Sequence, residues 1–123
     1  LLTVGGPYPA EMNDFTFTNN LVSAGELGVN PTGSPCNVPR QRDPESMIRN
    51  CFKNFEFSHN VIISGTAAGW PNGNTAARDF NEAGMEKTGE LYRPGPRLKG
   101  KGSDGKDMGA NLEAIEAAVA GVE

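Results

Sequence analysis

The 123-residue chain has few of the side chains from which metal sites and nucleic-acid-binding surfaces are built. It contains one histidine and two cysteines without a Cys-x-x-Cys pair, so a zinc site built from four Cys and His ligands is not available. Its 11 basic and 15 acidic side chains give a net charge of -4, which argues against a general nucleic-acid binder. No apolar run approaches the roughly 20 residues that span a bilayer. We therefore expect neither nucleic acid nor a membrane as a partner.

Turn-forming residues are what the chain has in excess. Its 16 glycines and 9 prolines make up about a fifth of the sequence, against a usual value of about an eighth. This composition predicts loops and short strands and disfavours a helical bundle. The first residues, from Leu1 onward, already have the pattern of a strand. We therefore expect a piece of a longer protein.

The two cysteines, Cys36 and Cys51, leave two main alternatives. An even cysteine count in a loop-rich chain favours a disulfide, which would stabilise the fold by roughly 3 kcal/mol and imply a secreted or periplasmic protein. The alternative is a pair of free thiols. A cysteine nucleophile is a third and weaker interpretation, because the single histidine, His59, would have to be its base.

An internal repeat is the most informative feature of the sequence. Residues 13–25 align without a gap on residues 53–65, which lie 40 positions further along the chain. The identical pairs are Phe15 and Phe55, Phe17 and Phe57, Asn20 and Asn60, and Gly25 and Gly65.

Each copy of the repeat predicts a strand, a corner and a second strand. The phenylalanines alternate with polar residues, which is typical of a strand with one buried face. Asparagine suits the corner, since it tolerates left-handed backbone and bonds its own main chain. A strand that bends and continues is typical of one coil of a parallel β-solenoid, with neighbouring strands about 4.8 Å apart. We therefore expect the equivalent phenylalanines to stack and the Asn20 and Asn60 amides to bond between coils.

The rest of the chain is predicted to be mainly loop. A strand is expected over Leu1–Val4, a long excursion over Glu26–Pro44, a short helix or 3₁₀ turn over Pro44–Phe52, and loop over Thr66–Thr88.

The C-terminal segment predicts one convincing α-helix. Asn111 can cap its start and Gly121 can end it. Its apolar residues recur at helical spacing on one face, namely Leu112, Ile115, Val119 and Val122. The predicted organisation is therefore residues 1–110 as coils and loops, closed by a helix at 111–122 that covers the open core.

Two parts of the sequence resemble a known family. Residues 14–22 (DFTFTNNLV) and 55–63 (FEFSHNVII) resemble coils of the right-handed parallel β-helix, the pectate-lyase-like superfold. Residues 101–115, with Asp-Met-Gly-Ala, resemble the closing motif of secreted bacterial members, and the 70–74 loop and the two cysteines look like their C-terminal region. The resemblance implies an all-β fold of about two coils plus part of a preceding one, with long loops and a short capping helix.

The resemblance implies a carbohydrate context more than an activity. The first hypothesis is a non-catalytic C-terminal end that stabilises the solenoid and contacts polysaccharide. The second is an enzyme, either a polysaccharide lyase or a glycoside hydrolase acting on plant or microbial polysaccharide. The third is a stand-alone carbohydrate-binding module. The expected partner beyond polysaccharide is a set of upstream coils of the same protein or a self-associating copy.

Candidate site residues follow from these hypotheses. Asp14 and Glu56 would be neighbours on one exposed face and are the candidate catalytic pair, although ordinary solvated positions would show the same pattern. The paired aspartates, His-Gly and Arg-x-Lys of polygalacturonases are absent. His59 matches Asn19 at the corner, so it is either a corner residue or a catalytic base.

Candidate binding residues lie later in the chain. Trp70 could stack on a sugar ring or pack on the protein. Arg93 and Arg97 belong to a basic stretch that could meet an acidic polysaccharide, although a solvated segment leading into the helix is the more ordinary interpretation. Asp104 and Asp107 flank a glycine, an arrangement that favours a structural turn but could also hold Ca²⁺, the one cofactor considered.

Overall fold

Short strands and two helices make up the part of the chain that the computed structural model describes, residues 1–5, 12–26, 28–32, 43–63 and 68–122. The strands are β1 (Leu2–Gly5), β2 (Phe15–Thr18), β3 (Leu21–Ser23), β4 (Val29–Thr32), β5 (Phe55–Ser58), β6 (Val61–Ile63), β7 (Thr75–Ala77), β8 (Met85–Thr88) and β9 (Leu91–Pro94). The helices are α1 (Pro44–Cys51) and α2 (Leu112–Val119).

The two copies of the repeat pair in the predicted register. β2 lies parallel to β5 with Phe15 opposite Phe55 and Phe17 opposite Phe57, and β3 lies parallel to β6. The Phe17 and Phe57 rings stack with centroids 5.1 Å apart. Phe15 instead stacks on Phe52, at 4.1 Å. The repeat therefore predicted the strand pairing correctly, but only one of the two ring stacks.

The predicted asparagine bond between the copies is also present. The Asn20 side-chain amide donates to Asn60 Oδ1 over 3.0 Å. A third residue, Asn74, extends the row, because Asn60 Nδ2 donates to its Oδ1 over 2.9 Å. Asn74 immediately precedes β7, which pairs parallel with β6.

The predicted fold class, a right-handed parallel β-helix, is wrong. The described strands form four separate sheets of two or three strands, in the orders β1-β4, β2-β5, β3-β6-β7 and β8-β9. These sheets do not join into a closed or solenoid sheet, and the last pair is antiparallel. The physical reason is that β4 and α1 stand between the two copies, and that after β7 the chain forms an antiparallel hairpin in place of a further coil.

Segments predicted as loops supply several of these elements. β4 lies within the predicted excursion and pairs with β1, placing Leu2 opposite Val29. β7 and β8 lie within the stretch predicted as loop over Thr66–Thr88, so that prediction is wrong there. The predicted N-terminal strand and the short helix after Pro44 are confirmed as β1 and α1.

Two apolar cores lie on opposite faces of β6. Because side chains alternate along a strand, Ile62 enters one core with Ile48 of α1 and Phe57 of β5, while Val61 and Ile63 enter the other. The second core is completed by residues of the later segments, namely Ala77, Ala83, Met85, Leu98 and Met108. All three residues of β6 are buried.

The C-terminal helix forms where it is predicted but does not cover a core. Asn111 caps α2, accepting a hydrogen bond from the Ala114 N–H at Oδ1 over 3.0 Å. None of the residues of α2 is buried. The predicted covering role is therefore wrong, since no residue of α2 packs against either core, whereas the loop residues Leu98 and Met108 belong to the second one.

The predicted disulfide falls partly outside the described residues. Cys51 lies on α1 and is 1% exposed. Cys36 lies outside the described residues, so the Cys36–Cys51 pairing stays a prediction.

Candidate ligand-binding cleft

A cleft of about 480 Å³ lies between the β8–β9 hairpin, the loop that follows it, and the start of α2. It brings together three residues that the sequence singled out for different roles, Arg93, Asp104 and Asp107. Its other charged lining residues are Glu86, Lys99, Lys106 and Glu113. A volume of several hundred Å³ is typical of small-molecule sites.

The hairpin places Arg93 on the wall of this cleft. β8 and β9 are antiparallel with Glu86 opposite Arg93, and Gly89 in the connecting turn has a φ of 63°. A glycine with positive φ suits the two-residue turn that a tight hairpin needs. Arg93 Nη2 donates to Glu116 Oε1 of α2 over 2.8 Å, which ties the hairpin to the helix.

The loop before α2 is held by its own aspartates. The Asp104 carboxylate accepts a hydrogen bond from the Lys106 N–H over 3.1 Å, and the Asp107 carboxylate accepts one from the Gly100 N–H over 2.8 Å. The Gly102 N–H donates to the Lys106 carbonyl over 2.8 Å. These bonds fold residues 100–107 into a tight loop and fix where the Lys106 side chain starts.

Asn19, the corner of the first repeat, fastens this loop to the sheets. Its backbone has a φ of 62°, and its Oδ1 accepts a hydrogen bond from the Ser103 N–H over 2.7 Å. Its carbonyl accepts another from the Gly109 N–H over 2.7 Å. The floor of the cleft is therefore anchored to the strand pair and does not depend on α2 alone.

The cleft carries charges of both signs. Lys106 Nζ lies 3.7 Å from Asp104 Oδ2, a loose pair in which both side chains are largely exposed. In the described part of the chain no ion pair within 4.0 Å engages Lys99. Ammonium and guanidinium groups bind carboxylates, and carboxylates accept hydrogen bonds from hydroxyls. The lining therefore suits a ligand that carries both an acid and several hydroxyls.

Calcium at Asp104 and Asp107 finds no support in these contacts. Each carboxylate accepts a backbone hydrogen bond within the loop. Among the residues that the structure describes, no group of three or more His, Cys, Asp or Glu side chains could hold a metal ion. Calcium binding stays a prediction.

Arg97 and Trp70 lie away from the cleft. Arg97 is exposed, and a side chain added at Gly84 would meet it at 3.5 Å. Trp70 packs against the first core, with its ring stacked on that of Phe57 at a centroid distance of 5.9 Å and nearly parallel to it. Its packing leaves it half-buried, which favours the structural interpretation of Trp70 over sugar stacking.

Asp14 and Glu56 are not joined into one site. Asp14 Oδ1 is 3.5 Å from Asn54 Nδ2, at the limit of a hydrogen bond. Glu56 lines a separate open depression of about 570 Å³ beside β5, together with Arg49, Lys53, Ser58 and Asn72. Asp14 is not part of that lining.

A short chain of polar contacts runs along this depression. Ser58 Oγ lies 3.4 Å from Glu56 Oε1 and 3.1 Å from His59 Nδ1. His59 has a φ of 54°, as Asn19 does at the equivalent corner. A hydroxyl that bridges a carboxylate and an imidazole links two groups able to accept a proton.

Glu86 and Glu113 in the cleft, and the contact between Ser58 and His59, were not predicted from the sequence. The turn Gly89-Glu90 between two short β-like segments was the available signal for the hairpin. Recognising it would have placed Glu86 beside Arg93. Nothing in the sequence would have brought the loop at 100–107 to Asn19.

Comparison with protein-family models, with curated proteins and with solved structures found no match to this chain. Within the described residues, neither helix is long and apolar enough to cross a membrane.

Proposed function

We propose that the protein binds an acidic oligosaccharide, without cleaving it, in the cleft between the hairpin and α2. The observation that carries this proposal is that Arg93, Lys99 and Lys106, all from the basic stretch, line one cavity. A uronic acid presents a carboxylate to such cations and hydroxyls to the neighbouring Glu86 and Glu113.

The three cations of the cleft differ in how many of their N–H donors are already bonded to other protein groups. Arg93 uses one nitrogen on Glu116 and keeps its remaining donors. Lys99 and Lys106 are exposed ammonium groups on loops whose backbone is fixed by internal hydrogen bonds. A preorganised backbone lowers the entropy that a ligand must overcome. The two lysines are therefore the groups expected to change partner on binding.

The test is calorimetric titration with an oligogalacturonate and with a neutral oligosaccharide of the same length. Lys99→Gln and Lys106→Gln should each weaken binding of the acidic ligand about fivefold, since an exposed charge pair contributes up to about 1 kcal/mol. Added salt should weaken binding further.

Lys87→Gln is the matched control. Lys87 is likewise exposed and lies on the β8–β9 hairpin beside the cleft, opposite Tyr92, but it does not line the cleft. Equal loss of affinity in Lys87→Gln, or absence of saturable binding of the acidic ligand, would refute the proposal.

A second candidate function is cleavage of a polysaccharide in the depression beside β5. The contacts between Glu56, Ser58 and His59 favour it, because they couple two proton acceptors through one hydroxyl. Arg49 and Lys53 on the same lining would meet an acidic substrate.

The repeat supplies substitutions that the backbone already accommodates. Thr16 and Asn19 occupy in the first copy the positions of Glu56 and His59 in the second. If the depression is catalytic, Glu56→Thr and His59→Asn should lower release of new chain ends from a uronate polymer about a hundredfold. Lys99→Gln should leave the turnover number intact. Unchanged release in both repeat-matched variants would eliminate this candidate.

A further inference from the structure

The turn before β7 contains the one Asn-Gly step of the sequence, Asn72-Gly73. Both residues are exposed, and Asn72 lines the depression beside β5. Gly73 has a φ of 86°, and a side chain added there would meet Ser58 Cβ at 3.4 Å. The turn therefore requires glycine at position 73, because residues with a side chain rarely adopt that φ.

An asparagine that precedes glycine can react with its own main chain. The Gly73 nitrogen loses its proton to solvent and attacks Asn72 Cγ, so that a new N–Cγ bond closes a five-membered succinimide and the side-chain nitrogen takes up a proton and leaves as ammonia. Water then opens the ring at either carbonyl and gives aspartate or isoaspartate. The reaction consumes one water and needs no other reactant. A side chain on the following residue hinders the attack, and glycine has none.

Both reacting groups are free in the structure. Among the described residues, no hydrogen bond engages the Asn72 side chain or the Gly73 N–H. The bonds of the turn are made by other groups, since the His59 N–H donates to the Gly73 carbonyl over 2.7 Å and Asn74 Nδ2 donates to the Pro71 carbonyl over 2.8 Å. Exposed amides without a hydrogen bond exchange their protons most readily.

Another exposed asparagine of the chain, Asn81, lacks this combination. The next residue, Glu82, carries a side chain, and its N–H donates to Asp79 Oδ1 over 2.8 Å. The nitrogen that would have to attack Asn81 is therefore both hindered and hydrogen-bonded. The two asparagines thus differ in the features that the ring closure depends on, although solvent reaches both.

We propose that Asn72 is a site of spontaneous deamidation in the folded protein. The product carboxylate adds one negative charge to the depression, which Arg49 and Lys53 also line. Isoaspartate also lengthens the main chain by one carbon before Gly73 and so displaces the Gly73 carbonyl from the His59 N–H. The modification changes both the charge and the shape of this surface, and it is independent of ligand binding in the cleft.

The test is incubation of the full chain in weakly alkaline buffer, followed by proteolysis and mass spectrometry. The peptide that holds Asn72 should gain about 1 Da, because water enters and ammonia leaves, and should separate into an aspartate and an isoaspartate form. Fragment ions assign the gain to position 72. Asn81 is the internal control in the same sample and should react at least about tenfold more slowly, because its attacking nitrogen is bonded.

A parallel incubation in guanidinium chloride gives the rate in the unfolded chain. Asn72 in the folded chain should react within about tenfold of that rate, because the fold leaves both reacting groups free. Asn72→Gln keeps an amide but needs a six-membered ring, so it should remove the signal at this position. Absence of the gain at Asn72 in the folded chain while the unfolded chain reacts, or equal gains at Asn72 and Asn81, would overturn the proposal.

Discussion

At the scale of single residues, Asn60 shows how a polar side chain is accommodated in the interior. It is 0% exposed. Its Oδ1 accepts hydrogen bonds from the backbone and the side-chain amide of Asn20, and its Nδ2 donates to the Phe17 carbonyl and to Asn74. Among the described residues, no buried side-chain nitrogen or oxygen lacks a partner. The residue therefore links three segments of the chain at once.

Replacing Asn60 by alanine should be strongly destabilising. The substitution leaves the Phe17 carbonyl and the Asn20 amides without their partner, and each buried orphan costs about 1 to 3 kcal/mol. We expect the free energy of unfolding to fall by about 3 kcal/mol in a urea titration, and Asn20→Ala to cost less because Asn20 is only half-buried. Equal losses in the two variants would contradict this account.

The row formed by Asn20, Asn60 and Asn74 shows which contacts could be predicted from the sequence. Asn20 and Asn60 stand at matching positions of the repeat, so their contact followed from the alignment. Asn74 has no repeat around it, and its place in the row depends on β7 pairing with β6. Local pattern could predict the first contact, whereas the second is set by tertiary pairing.

At the scale of secondary-structure elements, α1 shows how a short helix is fixed between two sheets. Asp43 caps it by accepting a hydrogen bond from the Ser46 N–H over 2.8 Å, and Pro44 starts it. The Glu45 N–H donates to the Gly69 carbonyl over 2.7 Å, which ties the start of the helix to the 68–70 segment. Its buried residues Met47 and Ile48 anchor it in the first core.

The cap should make α1 sensitive to acid. The Ser46 N–H bonded to the carboxylate lowers the pKa of Asp43 below its ordinary value, with the Ser46 side chain adding to the effect. Because the folded pKa is the lower one, the stabilisation is present above the unfolded pKa and is lost as the pH falls through the folded pKa. Asp43→Asn keeps a capping oxygen but cannot titrate.

Urea midpoints at pH 7 and pH 3 would check this prediction. Asp43→Asn should resemble the parent chain at pH 7 and lose less stability than the parent chain between the two pH values. The other carboxylates titrate in both proteins, so the difference isolates Asp43. Parallel losses in the two proteins would show that the cap does not contribute.

The elements also divide clearly between those that the sequence predicts and those that it does not. The strands of the two repeats, α1 and α2 all have local signals, namely alternation, capping residues and helical spacing. β4 includes Pro31, a residue that argues against a strand from sequence, and pairs only with the outer strand β1. Its position at the edge of a two-stranded sheet is what makes that proline acceptable.

At the scale of the whole molecule, correct local pairing did not specify the fold class. Two repeat copies predict one parallel contact, and that contact exists. A solenoid needs further copies that continue the same sheets, and after β7 the chain forms an antiparallel hairpin. The cleft likewise depends on this hairpin and on the loop fastened to Asn19. The contact between Asn19 and Ser103 of that loop joins residues that are 84 positions apart in the sequence. Contacts of that sequence separation carry no periodic signal.

Strand β6 contributes residues to both apolar cores, and this shared strand determines how the protein unfolds. One core lies on its Ile62 face and the other on its Val61 and Ile63 face, so neither core can lose its packing without exposing residues beside the other. Two clusters that share a single three-residue strand are thermodynamically coupled and behave as one cooperative unit. The amide protons of β6 should accordingly be among the slowest in the chain to exchange with solvent.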